Sequence, residues 1–187
     1  MGRVAERSKL SPEEYLAWER QQERKHEYFD GEVFAMAGGS PRHNHLCSKV
    51  NTALEIALGS ACRLFTSDQR VRARDRRYVY PDLTVLCSPA TVEHDDAITN
   101  PTILVEVLSS TTEQYDRGLK WDGCQALESL TDYLLVSQDR ARIEHFARID
   151  NRWIYTSADA GDRITLTNGI VLDIDSIFAG VFDVPGD

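Results

Sequence analysis

The order of apolar and polar positions predicts a helix and then a hairpin at the start of the chain. The segment SPEE at residues 11–14 is typical of a helix start: its serine can cap the helix, its proline suits the first turn and its final glutamate completes a capping box. The helix is expected to extend to about Lys25. The segment EYFDGEVFAMAG, residues 27–38, then predicts a hairpin with Asp30-Gly31 in its tight turn.

Helical spacing returns between Arg42 and Leu58, and Gly59 is a natural stop. Further elements are expected in this order: strands at 62–73, 76–87 and 101–109, a helix from about Thr112 to Leu130, a strand at 132–139, a hairpin at 140–159, a β element at 164–175 and a short helix at 176–181. This order predicts one α/β (α+β) domain over residues 1–187, with a mixed central sheet flanked by helices. Residues 1–10 are expected to form a flexible tail.

The composition is that of a soluble globular protein, with 42% hydrophobic and 27% charged residues among 187. No apolar run is long enough to cross a bilayer, and the N-terminus has no apolar signal-peptide core, so a cytoplasmic protein with no membrane partner is expected. The cysteines at 47, 62, 87 and 124 form no Cys-x-x-Cys pair. They are expected to be free, mostly buried thiols in a reducing compartment rather than zinc ligands.

The charge is unevenly distributed along the chain. The net charge of −9 argues against a protein that coats nucleic acid non-specifically. Residues 70–77 nevertheless hold five arginines and one aspartate, and residues 140–152 add four arginines. These arginines are consistent either with a nuclease surface or with solvated strand edges and hairpins.

The segment PTILVEVLSS, residues 101–110, poses the main chemical question. Its apolar run predicts a strand buried on both faces, yet Glu106 lies in the middle, where an isolated ionised carboxylate is too costly to bury without a partner. Strand alternation places Asp82 on one face of the segment YVYPDLTVL, and a shared face with Glu106 follows if the two strands are neighbours. A Mg²⁺ ion between the two carboxylates is one solution. A buried pair of Glu106 with an arginine, and a turn-capping role for Asp82 beside Pro81, are the alternatives.

Several segments together resemble the Uma family of restriction-endonuclease-like proteins. They are YPDLTVLC, NPTILVEVLSSTTEQYDRGLKW and ESLTDYLLVSQDRARIEHFAR, together with the upstream stretch from SPEEYLAW to SPRHNHL, and they cover about Ser11 to Val181. The resemblance implies a PD-(D/E)XK nuclease core carrying an N-terminal helix-hairpin and C-terminal β additions. In that pattern Pro81-Asp82 is the PD element and Glu106 is the second acid.

The sequence departs from the PD-(D/E)XK pattern at one position. The pattern has a lysine two residues after the second acid, where this chain has Leu108. In similar proteins the lysine is thought to come from the following helix, and Lys120 is the residue that matches. The alternative for Lys120 is a salt bridge with Asp116, four residues earlier, on a solvent-facing helix.

The resemblance implies a metal-dependent endonuclease acting on nucleic acid, most simply DNA. Asp82 and Glu106 would hold Mg²⁺ or Mn²⁺ beside a scissile phosphate, and Lys120 would orient the attacking water or stabilise negative charge. Glu27, Glu32 and His43 match family positions and are candidates to support the site or contact substrate. Gln69 is a candidate phosphate contact, although a polar strand residue is the favoured alternative, and His45 is a weaker candidate than His43. Exposure at the turn is the alternative for Glu27 and Glu32, and a helix-capping or surface role is the alternative for His43.

Other functions stay open at this point. The missing lysine at position 108 and the acidic net charge favour a non-catalytic relative that keeps the fold for binding or assembly. A metallohydrolase acting on a small phosphorylated substrate is the third hypothesis. Serine-hydrolase and nucleotide-cofactor motifs are absent from the sequence. The oligomeric state stays open: double-strand cleavage needs two cuts, which is consistent with a homodimer, and Trp153 and Tyr155 in the C-terminal β additions are interface candidates.

Overall fold

The computed structural model describes residues 5–36 and 38–186. The predicted capping box is present: the Ser11 hydroxyl accepts a hydrogen bond from the Glu14 amide, and the Glu14 carboxylate accepts one from the Ser11 amide. Helix α1 (Pro12–Glu19) ends before the expected Lys25. The segment RQQERK that follows has no apolar side chain to bury, so nothing holds further turns against the core.

The helices and strands follow the predicted order, but each of the strands predicted at 62–73 and 76–87 is divided into two strands that lie in different sheets, and two short strands at 92–93 and 97–98 were not predicted. The other helices are α2 (Pro41–Leu58), α3 (Glu113–Tyr115), α4 (Trp121–Cys124) and α5 (Ile174–Phe178), with a π-helical turn (Asp116–Lys120) joining α3 to α4. The strands are β1 (His26–Phe29), β2 (Glu32–Ala35), β3 (Arg63–Thr66), β4 (Arg70–Arg74), β5 (Arg77–Val79), β6 (Leu83–Leu86), β7 (Val92–Glu93), β8 (Ala97–Ile98), β9 (Ile103–Leu108), β10 (Asp132–Ser137), β11 (Arg142–Ile149), β12 (Arg152–Asp159), β13 (Arg163–Thr165) and β14 (Val171–Asp173).

The strands form two six-stranded sheets and one small hairpin. One sheet has the order β2-β1-β5-β4-β8-β7, the other has the order β12-β11-β10-β9-β6-β3, and β13 pairs with β14. Strands β9 and β10 are parallel, as are β4 and β8, whereas the other pairs are antiparallel. This α+β architecture with mixed sheets and flanking helices confirms the predicted fold class.

Strand β9 lies inside the second sheet and is buried on both faces, as its apolar run predicts. Its odd-numbered residues, such as Val105, pack against α2 and α5 in the larger core cluster. Leu104 and Leu108 face the opposite side, where they pack with Cys124 and Tyr133. Glu106 has the parity of this second face, which is the face that the helical segment α3–α4 covers.

The helix predicted from Thr112 to Leu130 is shorter than expected and is interrupted. Its regular part ends at Cys124. The Arg148 guanidinium stacks on the Trp153 ring and donates hydrogen bonds to the carbonyl oxygens of Gln125 and Glu128. These bonds stabilise turns where the sequence alone would have continued the helix.

Two of the cysteines form a disulfide, so the expectation of four free thiols was wrong. Cys62 is bonded to Cys87, whereas Cys47 and Cys124 are free. The pairing follows from the antiparallel register of β3 and β6, in which Arg63 faces Leu86 and the two cysteines come one position further along. The 25-residue separation in the sequence gave no indication of this proximity.

The start of the described chain lies against the first hairpin. Arg7 forms a bridge with Val33, and the Glu6 amide donates to the Val33 carbonyl. Residues 5–10 are therefore attached to the fold, in contrast to the flexible tail expected for 1–10, while residues 1–4 lie outside the described part. Among the described residues, no helix has the length and apolar character to cross a membrane.

The arginine-rich segments largely form ion pairs within the protein. Arg70 is buried and binds both carboxylate oxygens of Asp96, while Arg77 contacts Asp30 and Asp122. In the later segment, Arg142 pairs with Asp159 across the β11–β12 hairpin. These ion pairs favour the interpretation that the arginines are charges of strand edges and hairpins over the interpretation that they form a nuclease surface.

A buried hydrogen-bond network fixes the start of β10. The Asp132 carboxylate is fully buried and accepts hydrogen bonds from the His145 ring, the Thr131 hydroxyl, and the amide and hydroxyl of Thr167. Burial raises the pKa of Asp132, but these hydrogen bonds outweigh it, so the pKa lies below its ordinary value. The network ties β10 and β11 to the loop after β13.

Replacing Asp132 with alanine is expected to lower the free energy of unfolding at neutral pH by about 3–5 kcal/mol, because its buried partners lose their acceptor. Since the folded pKa is lowered, the contribution of Asp132 is present above its ordinary pKa and is lost as the pH falls below it. Urea denaturation at neutral and acid pH measures both effects. The exposed Asp139→Ala variant is the control, and equal losses in the two variants would contradict this assignment.

Candidate active site

The pairing of β6 with β9 brings the two predicted acids to facing positions. Leu83 pairs with Val105 in the antiparallel register, so Asp82 and Glu106 come one position further along, opposite each other. The Asp82 carboxylate also accepts a hydrogen bond of 2.8 Å from the amide of Val107. Asp82 is partly exposed, whereas Glu106 is only 2% exposed. The face shared by these two strands is therefore the floor of a site that opens on the side of Asp82.

Lys120 reaches the same site from the π-helical turn. Its Nζ atom lies 2.8 Å from Glu106 Oε1 and 3.1 Å from Glu27 Oε1, and it donates a hydrogen bond of 3.2 Å to the carbonyl oxygen of Tyr80. Lys120 is 4% exposed. Asp116 does lie 3.8 Å from Lys120, as the alternative of a salt bridge between them expected. Both side chains are buried, however, so the expectation of a solvent-facing helix was wrong. Such π-helical turns are frequent at functional sites.

Glu27 completes the surroundings of the lysine. It lies on β1 in the other sheet, and its Oε1 atom accepts a hydrogen bond of 3.1 Å from the Tyr80 amide. Tyr80 immediately precedes Pro81-Asp82, so its backbone holds both Glu27 and Lys120 beside the strand that carries Asp82. The Tyr80 hydroxyl is held in turn by the buried guanidinium of Arg70.

The electrostatic character of the site is an excess of acid. Glu27, Glu106 and Asp116 lie within 3.8 Å of the Lys120 ammonium, and Asp82 lines the same cavity. Burial raises the pKa of Glu106 well above its ordinary value; Lys120 opposes this shift, and the neighbouring acids add to it. Burial lowers the pKa of Lys120, but the surrounding carboxylates outweigh it, so the pKa is raised and the ammonium stays charged.

The pKa of Asp116 is also raised, from 3.8 to about 6, mainly by burial. Because the folded protein keeps a proton that the unfolded chain releases in this range, the free energy of unfolding should fall by about 3 kcal/mol as the pH rises through it. The Asp116→Asn variant is expected to show a smaller decrease. Urea denaturation in metal-free buffer between about pH 4 and pH 7 tests this, and an unchanged slope in the variant would contradict it.

His43 lies at the entrance of the site. It is near the start of α2, and its Nε2 atom lies 3.4 Å from Asp82 Oδ2. A Cβ atom at Gly39 would come within 2.5 Å of the His43 ring, so the absence of a side chain at Gly39 is what allows the ring this position. A cavity of about 70 Å³ contains Glu27, Asp82, Glu106, Asp116 and Lys120. It shares His43, Asp82 and the Gly38-Gly39 loop with a groove of about 640 Å³.

Three other candidates lie away from this cavity. Glu32 is exposed at the turn end of the β1–β2 hairpin and lines a separate groove with Gln114 and Trp121. The Gln69 side chain donates to the carbonyl oxygens of Arg70 and Asp96, which is a structural role. His45 lies on α2 but lines neither the cavity nor the adjoining groove.

Sequence reasoning missed two residues near the site. Asp116 was considered only as a surface partner of Lys120, although its spacing of four residues placed it on the same side of the helix. Cys47 lies one turn after His43 on α2, with Sγ 3.7 Å from His43 Nδ1. That spacing was the available signal for it.

The donor set fits a hard divalent cation. The Glu106 carboxylate is buried, and its Oε1 atom forms an ion pair with Lys120 Nζ at 2.8 Å. The surrounding ligands are carboxylate oxygens in excess of the available positive charge, which is the environment that Mg²⁺ or Mn²⁺ prefers. Asp82 and Glu106 are the residues best placed to hold such an ion, because they face each other across β6 and β9.

Comparison with known proteins gives a consistent family assignment. The family model described as "Uma2: Putative restriction endonuclease" matches residues 12–176. Two uncharacterized proteins of Synechocystis sp. (strain ATCC 27184 / PCC 6803 / Kazusa) are similar: slr1290 is 39% identical over 92% of this chain and 93% of its own length, and sll1609 is 33% identical over 82% and 89%. The chain therefore belongs to the Uma2 family, as the sequence motifs indicated.

A solved structure shows the same fold. It is described as a putative nuclease belonging to DUF820 from Anabaena variabilis ATCC 29413, with a TM-score of 0.75 and 16% sequence identity. The match covers 92% of this chain and 99% of that chain. The nuclease-like fold predicted from the sequence is thus confirmed.

Proposed function

We propose that this member of the Uma2 family is a Mg²⁺- or Mn²⁺-dependent endonuclease that hydrolyses phosphodiester bonds in DNA. The observation that carries the proposal is the placement of the Lys120 ammonium 2.8 Å from Glu106, on the strand face where Asp82 and Glu106 face each other. Lys120, from the helical segment, would thus replace the lysine that the family pattern has two residues after the second acid, where this chain has Leu108. The family and the nuclease-like fold support the same chemistry.

Each residue of the cavity has a distinct role in this proposal. Asp82 and Glu106 hold the divalent ion, which when bound would lower the pKa of a water molecule and stabilise negative charge on the phosphate oxygens. Lys120 donates hydrogen bonds to the attacking water or to the developing charge. Glu27 and Asp116 keep Lys120 protonated and oriented, and His43 supports Asp82 from the entrance side.

The substrate would approach through the groove beside the cavity. A cavity of about 70 Å³ is too small to enclose a nucleotide, but it shares a wall with the larger groove at His43 and Asp82. The groove is lined by groups able to contact phosphates and bases: Arg24, Lys25, Asn44, Ser48, Asn51 and Ser67. A DNA backbone lying in this groove would present one phosphate to Asp82.

A substrate panel tests the proposal. Supercoiled plasmid, single-stranded DNA, RNA and a small phosphodiester are incubated with Mg²⁺, Mn²⁺ or EDTA, with Asp82→Asn as the matched inactive variant. Cleavage of DNA that needs the metal and Asp82 is the expected result. Cleavage of the small phosphodiester alone would favour the small-substrate hydrolase, and no cleavage of any substrate would favour the non-catalytic binding protein.

We also propose a homodimer, formed through the exposed edge of the second sheet. Strand β12 is that edge, and it exposes Ile154 and Tyr155 to 44% and 50%. Trp153, the other interface candidate, packs against the Trp121 ring and is less available. Light scattering is expected to give twice the chain mass at micromolar concentration and a monomer for Tyr155→Asp. A monomeric wild-type protein would contradict the dimer.

A further inference from the structure

A second set of metal-binding side chains lines the groove beside the acidic cavity. His43 and Cys47 are four residues apart on α2, and Asp82 precedes β6. Their potential ligand atoms all lie within 4.8 Å of one another. His43 lies between the other two, with Nε2 at 3.4 Å from Asp82 Oδ2 and Nδ1 at 3.7 Å from Cys47 Sγ. All three residues line the groove, which gives an ion access.

The chemistry of this set differs from that of the acidic cavity. A thiol, an imidazole and a carboxylate form a borderline-soft donor set, whereas the cavity around Lys120 offers carboxylate oxygens. Zinc bound tetrahedrally at about 2.0–2.3 Å places its ligands about 3.3–3.8 Å apart. The two short separations fall in this range but involve different nitrogens of the His43 ring, and one ion binds only one of them. With one ligand atom from each residue, the three atoms lie within 4.8 Å of one another, so binding requires a small closing movement of the side chains.

We propose that His43, Cys47 and Asp82 form a binding site for Zn²⁺ or Co²⁺ that is separate from the Mg²⁺ site but shares Asp82 with it. Three protein ligands leave a fourth coordination position open towards the groove. On binding, the Cys47 thiol releases its proton to solvent and the sulfur bonds to the ion. The positive charge of the ion neutralises the negative charge of the thiolate. Because Asp82 serves both sites, an Asp82 side chain that binds Zn²⁺ is not available to hold Mg²⁺ together with Glu106.

Cobalt spectroscopy tests the site without any assay of cleavage. Co²⁺ bound to a thiolate produces a charge-transfer absorption band, which is expected on titration of the wild-type protein in buffer without reductant, so that the Cys62–Cys87 disulfide stays closed. The band should be lost in Cys47→Ala. In His43→Gln the apparent affinity for Co²⁺, measured from the band, should fall at least about tenfold. Circular dichroism checks that each variant is folded.

Two control variants locate the band. Cys124→Ala removes the other free cysteine, which is fully buried away from the groove, and should keep the band. Glu106→Gln alters the acidic cavity and should also keep it. A wild-type protein without the band, or a band that survives in Cys47→Ala, would overturn the proposal.

A competition assay tests the shared ligand, and this part rests on the proposed nuclease function. Zn²⁺ should inhibit Mg²⁺-dependent nicking by wild type, and Cys47→Ala should need at least about tenfold more Zn²⁺ for the same inhibition. Equal inhibition of the two proteins would overturn the shared role of Asp82. If the wild-type protein cleaves no DNA, the cobalt titration still decides whether the site exists, so failure of the function and failure of the site are distinguishable.

Discussion

Replacing Glu106 with glutamine is expected to reduce DNA cleavage by at least about 100-fold while leaving the protein folded and nearly as stable as wild type. The amide keeps the shape of the side chain but removes a carboxylate ligand of the divalent ion, whose electrostatic contribution to phosphoryl chemistry is several kcal/mol. The same substitution should weaken Mn²⁺ binding measured by calorimetry. Activity and metal affinity should therefore fall together.

The stability of this variant separates a catalytic role from a structural one. Glu106 is one of three acids within 3.8 Å of the Lys120 ammonium, and burial raises its pKa well above the ordinary value. In metal-free buffer its loss should change the free energy of unfolding by less than about 1 kcal/mol, since Lys120 keeps Glu27 and Asp116 as partners.

A matched control is Glu144→Gln, which alters another buried glutamate whose partner is Arg117 rather than Lys120. This control is expected to lose stability but keep its nicking activity and Mn²⁺ affinity. A Glu106→Gln protein that unfolds readily yet cleaves DNA normally would show that Glu106 is a structural acid.

Lys120→Met is expected to lower the cleavage rate about 100- to 1000-fold with little change in the metal concentration required. Methionine fills the space of the lysine stem but cannot donate hydrogen bonds to the water or to the developing charge. Unlike Glu106→Gln, this variant should also be destabilised, by up to about 3–5 kcal/mol at neutral pH, because the buried carboxylates lose the ammonium that lies between them.

The pH dependence of that destabilisation is a second readout. Without the ammonium, the pKa values of Glu106 and Asp116 should rise further, so that these groups become protonated and the variant regains stability as the pH falls. Lys120→Arg is the charge-conserving control. Its larger guanidinium does not fit a position that is 4% exposed, so it should restore little activity. Full activity in Lys120→Met would remove Lys120 from the proposed mechanism.

The sequence predicted the strand faces of the site because alternation is a local property. The apolar run around Glu106 and the parity of Asp82 placed both acids on one face on condition that their strands were neighbours, and the β6–β9 pairing meets that condition. The position of Lys120 came from family resemblance, since nothing in the periodicity of residues 112–130 indicated that a π-helical turn would direct it inward.

The contacts that sequence reasoning missed are long-range. Glu27 and Glu32 looked equivalent beside the Asp30-Gly31 turn. Glu27 lies on β1 away from the turn and contacts Lys120, whereas Glu32 is the first residue of β2, at the turn itself. The Cys62–Cys87 bond depends on the register of β3 and β6, which was not deducible from spacing. The end of α4 depends on hydrogen bonds from Arg148, which lies on β11 and is distant in the sequence.

The most direct test of the acidic cavity as a nuclease site is plasmid nicking by wild type and Glu106→Gln, purified in parallel and assayed with Mg²⁺, Mn²⁺ or EDTA. The expected result is nicking by wild type that requires the metal and is absent from the variant. Nicking of equal extent by both proteins, or none by wild type with either metal, would contradict the proposed function.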